Sequence, residues 1–366
     1  MTPFGLRRQP DRPALPRRRR LVRASTVVAL ASSLALTPIL TGCGGGGLLG
    51  GDPFASEGLD GVQIDLAVPT INGAQPYLTL DVSVGGAKKV PMLVDTASPG
   101  VRILKTQLGK GSVTRTSTPV TAEFVDGTTF DGVEASAMMS FGGVATAQPI
   151  TFQLITKVSC QPQFPTCAGA DGLRAYSKAQ SFAGIFGIGL YSTPVYSPLS
   201  QLAGGAASSF SITSDPKAGS ATLTLNTVPS NPVATYSMPR WAEPLPNGVP
   251  AWASNEANAC WSFSADPPKC LPTAFDTGSP FVIASEAVPG APPVGDVTNG
   301  SQLTLFTNGD LQPIWSVVAG KIPGKNKVTI TPPEAGEAVN TGGGIFRSRS
   351  VTFDSRRGQV LIAAPE

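Results

Sequence analysis

Two aspartates define the chemistry this chain could perform. Asp276 sits in Thr273-Ala274-Phe275-Asp276-Thr277-Gly278-Ser279-Pro280-Phe281-Val282-Ile283. Asp95 sits in Met92-Leu93-Val94-Asp95-Thr96-Ala97-Ser98-Pro99-Gly100-Val101-Arg102-Ile103-Leu104. Each aspartate ends an apolar run, is followed by Thr, and leads through Ser-Pro toward further apolar residues. The copies lie 181 residues apart, a spacing that suits two related lobes, each donating one carboxylate. Two carboxylates held face to face cannot both ionise easily, so the pair shares a proton and can activate a water molecule.

The histidine-dependent hydrolytic chemistries are excluded by what is missing, which leaves carboxylates, a lysine or a metal the sequence does not reveal. The chain has no histidine, which removes Ser-His-Asp and Cys-His mechanisms. Cys160, Cys167, Cys260 and Cys270 do not have the spacing of metal knuckles, so no metal site and no cofactor are expected. In an oxidising compartment, the two short intervals predict Cys160–Cys167 and Cys260–Cys270 as local disulfides.

The elements that must position the aspartates read as strands. Residues 62–68 and 77–84 alternate apolar and polar side chains, as half-buried strands do. Residues 90–94 then lead to Asp95. Apolar runs of four to eight residues, bounded by Gly, Pro, Asn or Asp, recur along the chain and predict a turn-rich, all-β fold. Helical periodicity is nearly absent; residues 197–203, with Pro198 early and Gly204 after the end, predict one short helix. The length beyond residue 60 exceeds what one core usually serves, so two lobes are expected.

With these residues in view, the chain resembles the pepsin-like aspartic proteases. It also resembles a group of bacterial lipoproteins of unknown function with a pepsin-like or retropepsin-like fold. The resemblance spans about residues 61–366 and rests on the two Asp motifs, on Ile185-Phe186-Gly187 and on the segment from Gly342 through Phe353-Asp354. It implies a bilobal all-β fold, an amino-terminal lobe over 61–205, a carboxyl-terminal lobe over 206–366, and a cleft between them that takes a peptide or protein. Asp95 and Asp276 would be the catalytic dyad. Thr96 and Thr277 would bond across its base, with Ser98, Gly278 and Ser279 supporting the carboxylates. The segment 122–132 falls where the family has its flap, with Phe124 and Gly127 at the turn. Three departures mark this chain: the first motif is Asp-Thr-Ala, Phe124 stands where the family's flap carries a tyrosine, and Asn340 and Thr341 precede Gly342 where the family has apolar residues. The same cleft in a catalytically inactive relative would serve to bind peptide or envelope material, and a structural envelope lipoprotein is the third reading.

The amino terminus reads as an address. Residues 1–42 carry eight arginines and one aspartate, and an apolar stretch over 24–40 follows the basic region, as in an export signal. Leu40-Thr41-Gly42-Cys43 resembles the bacterial lipobox, which implies lipidation at Cys43. Residues 43–60 begin with a glycine-rich tether. Gly44 after the cysteine, by resemblance to the usual sorting rule, implies the outer membrane of a bacterial envelope, with the lipid as the only membrane contact. Of the 27 basic and 24 acidic residues, 19 and 23 remain once 1–42 is removed. The apparent basicity therefore belongs to the leader, and no nucleic-acid partner is expected. A monomer is expected.

Overall fold

The computed structural model describes residue 54 and residues 58–69, 77–111, 113–215, 218–264, 266–320, 326–333 and 338–365. The leader over 1–42, Cys43 and most of the tether lie outside the described residues.

Strand β1 (Gln63–Ala67) buries alternate side chains, as its sequence pattern requires. β2 (Thr79–Val84) and β3 (Val90–Asp95) run antiparallel, joined through a turn at Gly85-Gly86. β4 (Pro99–Leu104) leaves the first aspartate and is buried along its whole length. The strand Gly184–Ile188 lies between β3 and β4. It runs parallel to β3, with Gly187 opposite Asp95, and antiparallel to β4. The second aspartate repeats the plan. Val339–Asn340 lies between the strand entering Asp276 (Lys269–Ala274) and the strand leaving it (Val282–Ser285), parallel to the first and antiparallel to the second.

β5 (Thr114–Glu123) and β6 (Thr128–Ala137) form a long hairpin. Its turn has a local cause. The Gly127 N–H donates to the Phe124 carbonyl at 2.9 Å, and Gly127 adopts φ +85°, which costs glycine little. The Asp126 carboxylate accepts from the Thr128 N–H and hydroxyl, the side-chain turn bond that favours Asp here.

Among the described residues the strands make two sheets, one of fifteen and one of eight. The larger carries β1 to β6 and also Ser209–Asp215, Ser220–Leu225, Ser350–Asp354 and Gln359–Ala363. The smaller carries the Asp276 loop. This is a bilobal, pepsin-like all-β fold. Rings pack behind each aspartate loop: Phe186 against Phe141 at 4.7 Å, and Phe275 against Tyr236 at 5.6 Å. No helix among the described residues is long and apolar enough to cross a membrane.

Both disulfides form as the spacing predicts. Cys260 and Cys270 are direct partners on adjacent antiparallel strands, whereas Cys160–Cys167 closes a loop after the strand Ile150–Cys160. The expected helix over 197–203 is corrected to one 3₁₀ turn, Pro198–Ser200. The backbone beyond it pairs elsewhere instead: Ala203 donates to Ala145, and Gln201 accepts from Ala147. A helix the pattern did not announce, α1 (Gly172–Ala179), sets Tyr176 edge-on against Phe130 of β6 at 5.5 Å.

Near the chain's start, Phe54 is buried with Ala206, Leu245, Val249 and Ala251. The Arg356 guanidinium lies 4.7 Å from its ring and donates to its carbonyl.

Candidate functional site

The two aspartate loops meet at the floor of one cleft of about 830 Å³. Their bases are cross-linked by the two threonines. The Thr96 hydroxyl donates to the Phe275 carbonyl at 2.6 Å and accepts the Thr277 N–H at 3.1 Å. The Thr277 hydroxyl donates to the Val94 carbonyl at 2.7 Å and accepts the Thr96 N–H at 3.3 Å. Each loop thus satisfies buried backbone groups of the other, which would otherwise be costly to leave unpaired.

Above that base the carboxylates converge. A β-carbon added at Gly278 would lie 2.8 Å from Asp95 Oδ2 and 3.0 Å from Asp276 Oδ1. Those two oxygens can therefore be no farther apart than these two distances laid end to end. Both aspartates are 6% exposed. Asp95 Oδ1 accepts the Ala97 and Ser98 N–H groups, each at 2.9 Å, and Oδ2 accepts the Ser98 hydroxyl at 2.5 Å. Asp276 Oδ1 accepts the Gly278 N–H at 2.6 Å. Burial pushes the Asp95 carboxyl up from its ordinary range. The Ser98 hydroxyl, the Ser98 and Ala97 N–H groups and the Arg102 charge pull it back down.

The loops are not copies in detail. Gly278 has no room for a methyl, since the added carbon would lie 2.6 Å from Asp95 Cγ. The matching position in the first loop is Ala97, which carries one. Its φ is not positive, its N–H still reaches Asp95, and the Tyr191 hydroxyl donates to its carbonyl at 3.0 Å. Ser98 and Ser279 also differ: the Ser279 hydroxyl donates to the Phe281 carbonyl at 2.8 Å.

Three participants were not read as site residues from the sequence. Asn340 Nδ2 donates to Asp276 Oδ2 at 2.7 Å, and its Oδ1 accepts the Gly342 N–H. The signal was an amide where the family has an apolar residue. Arg102 lies in β4 and lines the cleft beside Asp95. Its signal was a charge inside an apolar strand. Tyr77, at the entry to β2, packs edge-on to Phe182 at 6.0 Å. Burial, then the charges of Asp126 and Asp276, push its phenol up to about 12, so it keeps its proton near the dyad.

The β5–β6 hairpin borders the cleft through residues 120–125. Phe124 turns its ring onto Phe130 at 4.9 Å, while Val125 at the tip is exposed. The Cys160–Cys167 loop holds that tip. The Gln161 N–H donates to the Gly127 carbonyl, and Gln161 Nε2 donates to the Phe124 carbonyl. Phe164 lies so close that a β-carbon on Gly127 would fall 2.2 Å from its own. Among the described residues no cluster of three or more metal-ligating side chains occurs.

Residues 88–239 match a family described as protein of unknown function (DUF3443). No curated protein matches. Among solved structures, the chain is similar to the crystal structure of aspartic proteinase from Irpex lacteus. The TM-score is 0.54 and the identity 12%, over 83% of this chain and 97% of that one. At that identity the likeness is one of fold.

Proposed function

We propose that this chain is an exported, lipid-anchored aspartic endopeptidase. Asp95 and Asp276 share one proton, and a water sits between them. The ionised carboxyl takes the water's proton as it attacks, and the protonated one polarises the scissile carbonyl. The observation that carries the reading is the convergence of both carboxylates on one point beside Gly278. The threonine cross-links support it, since they hold the two loops in one position relative to each other.

The substrate is a peptide or protein lying in the cleft under the flap. Anchoring through Cys43, an outer-membrane site, lobes divided near residue 205 and a monomeric state belong to the same proposal. They rest on Leu40-Thr41-Gly42-Cys43, on the resemblance and on the paired loops.

A second reading is favoured by a specific feature. Ala97 carries a methyl at the position where Gly278 has no room for one, and the flap aromatic, Phe124, has no hydroxyl. On that reading the chain binds peptide or envelope material in the same cleft without cutting it. Incubating the purified full chain with denatured protein from acid to neutral pH, with and without a statine-type inhibitor, separates the two. The protease reading expects cleavage that is bell-shaped in pH, blocked by the inhibitor and lost in Asp95→Asn and in Asp276→Asn. Absence of cleavage across the range, with peptide still bound, leaves the binding reading. For the anchor, Cys43→Ser should remain exported yet lose lipid and membrane association. Unchanged membrane association rejects the lipobox.

A further inference from the structure

Arg102 is the one cation among the residues that line the cleft. It sits in β4, where every residue is buried, and is itself 6% exposed. Removing a guanidinium from water is expensive unless its charge is matched and its N–H groups are accepted. Here the match is partial. Nη1 donates to the Pro99 and Gly100 carbonyls at 2.5 and 3.2 Å. The opposite edge, Nε and Nη2, has no protein acceptor; Nε is buried without any partner. None of the ion pairs among the described residues involves Arg102. Asp95 feels its charge, but Asp95 already accepts three hydrogen bonds within its own loop.

Nε is sealed from solvent, so Nη2, which has no protein acceptor, is the guanidinium nitrogen that can meet an anion in the cleft, through one charge-assisted bond. The surroundings make such a position singular. Asp95, Asp276, Glu123 and Glu256 also line the cleft, so an anion entering elsewhere meets like charge. Beside Arg102 it meets the one compensating charge.

We propose that Arg102 receives a carboxylate of the bound peptide and so fixes one acidic position in the sequence this protein recognises. The carboxylate comes either from an Asp or Glu side chain or from the peptide's own carboxyl terminus. The proposal rests on the cleft being a peptide site; it does not require that the peptide be cut.

The test uses the full chain carrying Asp276→Asn, so that no probe is consumed. The probes are fluorescein-labelled eight-residue peptides of alanine, valine and phenylalanine. They carry Glu or Gln at each position in turn, with the terminus free or amidated, and binding is read by anisotropy near neutral pH. At one position Glu should bind about tenfold or more tighter than Gln, the size of a charge-assisted bond. Arg102→Met should reduce that ratio to about one, and Arg102→Lys should keep part of it. A preference lost on amidation, with no favoured Glu position, assigns the carboxylate to the terminus and also supports the proposal. Equal binding of all peptides by the Arg102 form overturns it, whatever the Arg102→Met chain does on folding. An unchanged preference in a folded Arg102→Met chain overturns it too. Binding of no peptide at all rejects the cleft reading itself, and this proposal with it.

Discussion

Replacing Thr96 by valine keeps the shape of the side chain and removes one hydroxyl from the base of the site. The change leaves two buried backbone groups unmet: the Phe275 carbonyl, now 2.6 Å from a methyl, and the Thr277 N–H, which loses its acceptor at 3.1 Å. Thr96 and Thr277 are 0% and 1% exposed, so water cannot replace the lost partner without opening the loops. Each orphaned group costs about 1–3 kcal/mol, so Thr96→Val should destabilise the chain by about 2–6 kcal/mol. That is a large share of the roughly 5–15 kcal/mol that holds a domain folded. Thr277→Val breaks the mirror-image pair, including the longer 3.3 Å bond, and should fall at the lower end of that range. Once one substitution has let the loops part, the second has less left to break, so the double variant should lose less than the two single losses together. Urea unfolding followed by tryptophan fluorescence measures all three. Thr96→Ser keeps the hydroxyl and should retain most of the stability. A loss below about 0.5 kcal/mol for Thr96→Val, or a serine variant as unstable as the valine one, refutes the cross-link as a source of stability.

Three further outcomes follow from the same geometry. Because burial raises the folded Asp95 carboxyl above its ordinary value near 3.8, its contribution to stability is fully present below that value and is lost as pH rises through the folded one. Asp95→Asn should therefore melt higher than the native chain at neutral pH, with the gap closing in acid; a gap that widens toward acid contradicts the assignment. Gly278→Ala places a carbon 2.6 Å from Asp95 Cγ and should destabilise by about 1–3 kcal/mol. A displacement of about an ångström would also cost about a hundredfold in any catalytic rate, so native turnover in this variant would show that the carboxylates do not converge there. Opening the Cys160–Cys167 loop with paired serines should cost about 2–3 kcal/mol from loop closure alone. It should also speed amide exchange at Phe124 and Gly127, and unchanged exchange would show that the tip of the β5–β6 hairpin is held by other means.

The parts of this fold that could be read from the sequence are those specified locally. The approach strands to each aspartate carry their own apolar pattern, and Ile185-Phe186-Gly187 shows its place because a strand so short and glycine-bearing fits between two others. Both disulfides follow from short intervals. Helix α1 escaped because its eight residues contain only Leu173 and Tyr176 as large apolar anchors, too few to define a face. The turn at Pro198 was over-read because Leu202, apolar and well spaced for a helix, is buried by bridging to Thr146 and Gly205 instead. Asn340 reaches Asp276 across 64 residues, and nothing in its own neighbourhood states that partner. Arg102 did carry a local sign, a charge between Val101 and Ile103, but its meaning depends on which surface the strand presents to the cleft.

The anchoring of Phe54 bears on how the molecule transmits load. A pull on the chain at Phe54 meets the Arg356 guanidinium, which lies against the ring and donates to the carbonyl. Arg356 belongs to the turn between Ser350–Asp354 and Gln359–Ala363, two strands of the fifteen-stranded sheet. Tension is thus passed sideways into the broadest hydrogen-bonded surface of the fold and shared among many bonds. The Asp95 loop hangs between two strands of that same sheet, β3 and β4, and its threonine ties it to the loop of Asp276. Load entering at Phe54 is then spread over many strands before it reaches the aspartates, and the threonine cross-links resist a change in the spacing of the two carboxylates.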